Sequence, residues 1–239
     1  MFKKFERFYE TEMGGGSPAG KLELSKLSLA EAQEHATKVF RSFGRELYTE
    51  IPNFDKNFLL AQAKFKLGHT KRQNMPVITT QQVRLFQASL LKGKIDFVHP
   101  FSKNTDIDNP LPTGLSGHNA ELFLQNGLSD GSKTDDMVAV YKYNGKIGDL
   151  NPIQEQVYFD KSIWKIARNG AGDSRNYLSK AMLVLSKDKY IIDGHHRFLT
   201  GLLIDQNIIV QGVKIDLDIN TLQQIALAYG DAIGNKRNK

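Results

Sequence analysis

Apolar residues change their spacing along this chain near residue 130. Before that point they recur at helical intervals. Ser28 and Glu31 have the spacing of a capping box, and Ala32, Ala36, Val39 and Phe40 follow on one face of a helix expected to reach about Leu47. Phe54, Phe58, Ala61 and Phe65 repeat the stripe until Gly68. Thr79 and Gln82 open a further helix carrying Val83, Phe86, Leu90 and Leu91, which Gly93 closes. A polar stretch over 100–115 leads to a brief helix expected near 118–126, and Ser129–Asp136 has the composition of a linker.

After the linker, short apolar runs take over. Met137–Tyr143 reads as a strand, and Asp160 as the cap of a helix containing Ile163, Trp164 and Ile166. Residues 169–175 read as a glycine-rich polar loop. Met182–Leu185 and Tyr190–Ile192 flank Ser186-Lys187-Asp188-Lys189, which has the composition of a hairpin turn, and Ile208–Ile215 supplies another strand. One helix is expected from the Gly194 turn, burying Phe198, Leu199, Leu202 and Leu203. A second follows Asn220 with Leu222, Ile225 and Leu227. The predicted fold class is α+β, a helical N-terminal region followed by a compact mixed-sheet domain. Its expected divisions are an amphipathic leader over 1–20, a basic helical region over 21–130, and a phosphate-binding domain over 131–239. The leader carries Phe2, Phe5, Phe8 and Tyr9 on one stripe, broken by Gly14-Gly15-Gly16-Ser17-Pro18.

Composition narrows the chemistry. The 239 residues include no cysteine, which excludes disulfide scaffolds, zinc–thiolate sites, iron–sulfur clusters and cysteine nucleophiles. No apolar run approaches the roughly 18–20 residues of a membrane span, so a cytoplasmic protein with no membrane partner is expected. The net charge of +6 has one uneven feature. From Asp55 to Asp96 no acid intervenes, while Lys56, Lys64, Lys66, Lys71, Arg72, Arg84, Lys92 and Lys94 fill the interval. Such a block is either a solvated face or a contact for DNA or another polyanion.

The segment richest in chemistry is Tyr190-Ile191-Ile192-Asp193-Gly194-His195-His196-Arg197, a strand passing through a glycine turn into a helix. A helix start offers unpaired N–H groups to an anion, and Gly194 would allow a phosphate close to the backbone. Arg197 can grip a phosphate with two hydrogen bonds, and His195 and His196 can donate to an oxyanion or carry a proton. Asp193 at the strand end is placed to hold a divalent metal or accept a hydroxyl proton. The alternative is structural: the histidines are polar cap residues, and Arg197 pairs with Asp193 to hold the corner. A metal site of His195 and His196 alone is disfavoured, since neighbours on a helix point about 100° apart.

Residues 181–204, AMLVLSKDKYIIDGHHRFLTGLLI, resemble the ParB/sulfiredoxin-like superfamily, whose signature strand ends in a G-x-H-R type turn. Asp149–Tyr158 resembles the opening box of that fold, and Asp160–Ala167 its first helix. The resemblance spans about residues 145–235. It implies a nucleotide (ATP, ADP or CTP) with Mg²⁺, with Gly194, His195, His196 and Arg197 on the phosphates. Asp193 would serve as metal ligand or base, Gln154 or Gln156 would line the site, and the loop of Gly170, Gly172, Asp173, Ser174 and Arg175 would form an opposite wall. The sulfinic-acid reductase branch is excluded, because its cysteine position is His195 here. The histidine-containing turn is closer to the branch that phosphorylates free serine, so a metal-dependent phosphotransferase or nucleotide hydrolase is the leading expectation. A ParB-like nuclease or DNA-binding protein is the near rival. The leader Met1–Glu10 also resembles peptides that direct internal proteins into tailed-phage heads, which implies a virion protein without catalysis. His35, His69, His99 and His118 lack mutual ligand spacing, and Asp216 and Asp218 are expected on one side of a strand.

Overall fold

The computed structural model describes residues 22–75, 94–96 and 137–232. The expected helices at Thr79–Gly93 and 118–126, the leader, and Arg84, Lys92, His99 and His118 lie outside the described residues.

Seven α-helices, three short 3-10 helices and six strands make up the described fold. Helix α1 (Leu29–Ser42) opens on the capping box, with Ser28 N–H donating to Glu31 Oε2 at 2.8 Å and Glu31 N–H to Ser28 Oγ at 3.3 Å. It ends at Ser42, short of Leu47. The chain turns at Gly44 with φ +69°, and Leu47–Glu50 forms a separate helical turn, α2. Helix α3 (Phe54–Phe65) buries Phe54, Phe58, Ala61 and Phe65 as the periodicity requires. After strands β1 (Lys94–Asp96), β2 (Met137–Lys146) and β3 (Asn151–Pro152) come helices α4 (Phe159–Asn169) and α5 (Ala171–Leu178). The remainder is β4 (Met182–Leu185), β5 (Tyr190–Asp193), α6 (His195–Ile204), β6 (Ile209–Ile215) and α7 (Ile219–Ala232).

The strands form one mixed sheet in the order β1-β2-β6-β4-β5-β3. Pairs β1–β2, β2–β6 and β4–β5 are antiparallel, and β6–β4 and β5–β3 are parallel. Alternation along the strands divides the buried residues between two faces. Leu183, Leu185, Ile191 and Val210 point into the main core with the N-terminal helices, whereas Val184, Ile192, Val213 and Ile215 are buried on the other side.

The main core is shared by both halves of the chain. Phe40 of α1, Phe54, Phe58 and Phe65 of α3, Phe159 of α4, and Phe198 of α6 belong to one continuous cluster. Phe58 meets Phe159 edge-on at 5.5 Å between centroids, and Phe65 lies 5.7 Å from Phe198. Each fully buried phenyl ring contributes about 1.5–3 kcal/mol relative to exposure, so these contacts bind the helical region to the sheet. Asn57 adds a polar tie, its amide donating to the carbonyls of both Leu203 and Ile204 at 3.0 Å.

Three local expectations change in the structure. Asp160 does not cap α4: Tyr158 occupies that position, and Asp160 lies buried inside the first turn. Residues 169–175 are not a loop, because only Gly170 turns, with φ +87°, and Ala171 begins α5 at once. The cap that permits this comes from afar, with Glu50 Oε2 accepting the Ala171 N–H at 2.7 Å while Glu50 also holds Arg45. Asp218 does not continue a strand. It caps α7, accepting the N–H groups of Asn220 and Thr221 at 3.1 Å.

Candidate functional site

The turn expected to bind phosphate sits where β5 meets α6. Gly194 has φ +109°, a conformation disfavoured for residues with a Cβ. Its missing side chain is taken up by the protein itself. A Cβ there would stand 2.4 Å from Leu183 Cδ2 and 3.1 Å from Arg197 Nη2. Arg197 returns one turn along the helix to Asp193, Nη2 to Oδ2 at 2.5 Å, as the structural alternative required. Asp193 therefore has a guanidinium against its carboxylate. That environment does not fit Mg²⁺, and among the described residues no group of three His, Asp or Glu comes together for a metal.

The two histidines are oriented by backbone. His195 is 5% exposed, and its Nε2 accepts the Gln154 N–H at 3.2 Å. A nitrogen that accepts an N–H carries no proton, so the imidazole is neutral with its proton on Nδ1. Burial, aided by the charge on Arg197, pushes its pKa down to about 3. His196 is half-buried and repeats the arrangement, Nε2 accepting the Tyr158 N–H at 3.4 Å. Burial first, then the charges of Lys161, Lys165 and Arg72, hold its imidazole neutral as well.

Those three cations come from two distant segments. Lys161 and Lys165 lie one turn apart on α4. Arg72 belongs to the acid-free block, and backbone pairing delivers it: His69 and Thr70 N–H both donate to the Ile153 carbonyl at 3.0 Å, and Glu155 N–H donates to the Thr70 carbonyl at 3.0 Å. Thr70 is also bonded to Gln223 of α7 at 3.1 Å. Arg72 then lies over the Tyr158 ring at 5.0 Å, with Lys161 at 5.4 Å from the same ring. The Nη1 atom of Arg72 is buried without a hydrogen-bond partner. A basic cluster thus lies beside the first turn of α6, made of Arg72, Lys161 and Lys165 around Tyr158 and His196.

No family model, curated protein or solved structure matches this chain. Gln154 reaches the turn through its backbone, while its side-chain amide is turned onto the Gln156 carbonyl. Arg175 is not at the turn. It pairs with Asp205 at 3.2 Å, beyond the C-terminal end of α6, which is about 15 Å long. Of the rest of the acid-free block, Lys56, Lys66 and Lys71 are exposed. Lys64 is turned inward, donating to the Leu150 carbonyl at 2.8 Å. Tyr158, Lys161 and Lys165 are additions to the residues expected from sequence. Their only signal there is the i, i+4 spacing of the two lysines opposite the apolar Ile163–Ile166 face.

Proposed function

We propose that the chain binds a phosphate-bearing nucleotide at the basic cluster of Arg72, Lys161 and Lys165 beside Tyr158 and the first turn of α6. The observation that carries this reading is the convergence of Arg72, Lys161 and Lys165 on His196, around a helix start with its own partial positive charge. Cations beside a helix start favour an anionic ligand, and the buried Arg72 Nη1 without a hydrogen-bond partner adds a donor. Tyr158 supplies an aromatic face beside the cations. The resemblance of the Asp193–Arg197 turn to ParB/sulfiredoxin-like proteins supports the same ligand class. Phosphoryl transfer or nucleotide hydrolysis would require Asp193 to leave Arg197, so the engaged geometry favours recognition.

Titration calorimetry with ADP, ATP and a short single-stranded oligonucleotide, with and without Mg²⁺, tests the reading. The double variant Arg72→Ala, Lys161→Ala is expected to weaken nucleotide binding at least tenfold, since each lost charged contact is worth about 1.5–3 kcal/mol. Unchanged affinity overturns it. Oligonucleotide binding tighter than ADP, falling steeply with salt, moves the assignment to nucleic acid, with exposed Lys66 and Lys71 as further cations of the same block.

A further inference from the structure

Arg72 reaches Tyr158 from a strap, residues 69–75, that is fastened at both ends. Gly68 brings the strap against the segment after β3, where a Cβ would stand 2.7 Å from the Gln154 carbonyl oxygen. Pairing of Thr70 with 153–155 holds its start, and Met75, buried, holds its end. Between these anchors Lys71, Gln73 and Asn74 are exposed. Arg72–Asn74 form one 3-10 turn, closed by the Asn74 N–H on the Lys71 carbonyl at 2.9 Å and the Met75 N–H on the Arg72 carbonyl at 3.2 Å. Hydrogen-bond geometry in a lone 3-10 turn is poor, so its place is set by outside support.

That support comes from one side chain of α7. Gln223 Nε2 donates to Thr70 Oγ1 at 3.1 Å on one flank of the turn and to the Asn74 carbonyl at 3.4 Å on the other. Thr70 is buried, so solvent is a poor substitute for its partner. Gln223 is in turn fixed by the first turn of α7, which buries Ile219 and Leu222 and is capped by Asp218.

We propose that Gln223 is a positioning residue of the ligand site: by holding both flanks of the turn it keeps the Arg72 guanidinium over Tyr158, where it meets the anion. The role rests on the nucleotide reading above. Gln223 acts through Arg72 and not by its own contact with ligand.

A double-mutant cycle read by calorimetry with ADP tests this on the full chain. Gln223→Ala is expected to weaken ADP binding about three- to tenfold. In an Arg72→Ala background the same change is expected to alter affinity by less than about twofold, because the residue it positions is gone. Thr70→Val removes the hydroxyl and is expected to match Gln223→Ala, whereas Thr70→Ser keeps the hydroxyl and is expected to retain more affinity than Thr70→Val. Thermal melts establish that each variant folds, and if Gln223→Ala does not, the Thr70 pair decides. Wild-type affinity in Gln223→Ala, or an equal loss with and without Arg72, overturns the positioning role and leaves the nucleotide reading. Absence of ADP binding by the wild type overturns the nucleotide reading and the role with it.

Discussion

His195 Nε2 accepts the backbone N–H of Gln154 at 3.2 Å across a buried interface between α6 and the segment after β3. The bond makes a histidine that looks catalytic in sequence into an anchor. Replacing His195 with leucine removes the acceptor for a buried N–H, and a loss of about 1–3 kcal/mol is expected in urea unfolding. His195→Gln, which retains an acceptor oxygen, is expected to lose less. Equal losses in the two variants would show that the bond contributes nothing.

The same imidazole sets a pH dependence. Its folded pKa of about 3 lies below the ordinary histidine value, so between the two the unfolded chain binds more protons and stability falls as pH is lowered. The slope approaches about 1.4 kcal/mol per pH unit per histidine within that window. His196 shifts in the same direction and adds to it. Unfolding midpoints at pH 7, 5.5 and 4.5 are expected to drop progressively, and less steeply in His195→Gln. A slope unchanged by that substitution would assign the effect to other groups.

Gly194 and Gly172 offer a controlled contrast. A Cβ at Gly194 meets Leu183 at 2.4 Å in a strained backbone region, whereas one at Gly172 meets nothing within 4 Å and sits inside α5. Gly194→Ala is expected to lower stability by more than about 1 kcal/mol, while Gly172→Ala is neutral or raises it by up to about 1 kcal/mol. Thermal melts of the two single variants check both signs.

Asp193 competes with any anion for Arg197. Asp193→Asn is therefore expected to raise ADP affinity without Mg²⁺ about three- to tenfold, because it removes a negative charge 2.5 Å from the guanidinium. A metal-binding role for Asp193 gives the opposite result, weaker Mg²⁺-dependent nucleotide binding. Calorimetry with ADP, with and without Mg²⁺, distinguishes the two.

Glu50 joins α2 to the start of α5 through Ala171 and Arg45. Burial disfavours its charge, but the Ala171 N–H and Arg45 outweigh that and hold its pKa below the usual carboxylate value. Its contribution is thus present above the unfolded pKa and lost as pH falls through the folded one. Glu50→Gln is expected to lower stability by about 1 kcal/mol at pH 7 and by less in acid. Equal losses at both pH values would mean that the charge has no part in the cap.

The parts of the fold legible in sequence are those whose cause is local. The capping box at Ser28, the aromatic stripe of α3 and the passage from β5 through Gly194 into α6 follow from neighbouring residues alone. The misread parts have remote causes. Residues 171–178 become helical because Glu50, far earlier in the chain, receives the Ala171 N–H. His195 and His196 are oriented by the N–H groups of Gln154 and Tyr158, and a backbone N–H leaves no side-chain signature. Arg72 joins the site through carbonyl pairing between 69–70 and 153–155, so composition shows the basic block but not its destination.

The amide of Asn57 closes on carbonyls 146 and 147 residues downstream. During synthesis, at about 5–20 residues per second, α3 emerges many seconds before the helix that covers it. In that interval the phenyl rings of Phe54, Phe58 and Phe65 have no Phe159 or Phe198 to meet. The shared core therefore leaves the apolar faces of the first third of the chain uncovered until α6 has been made.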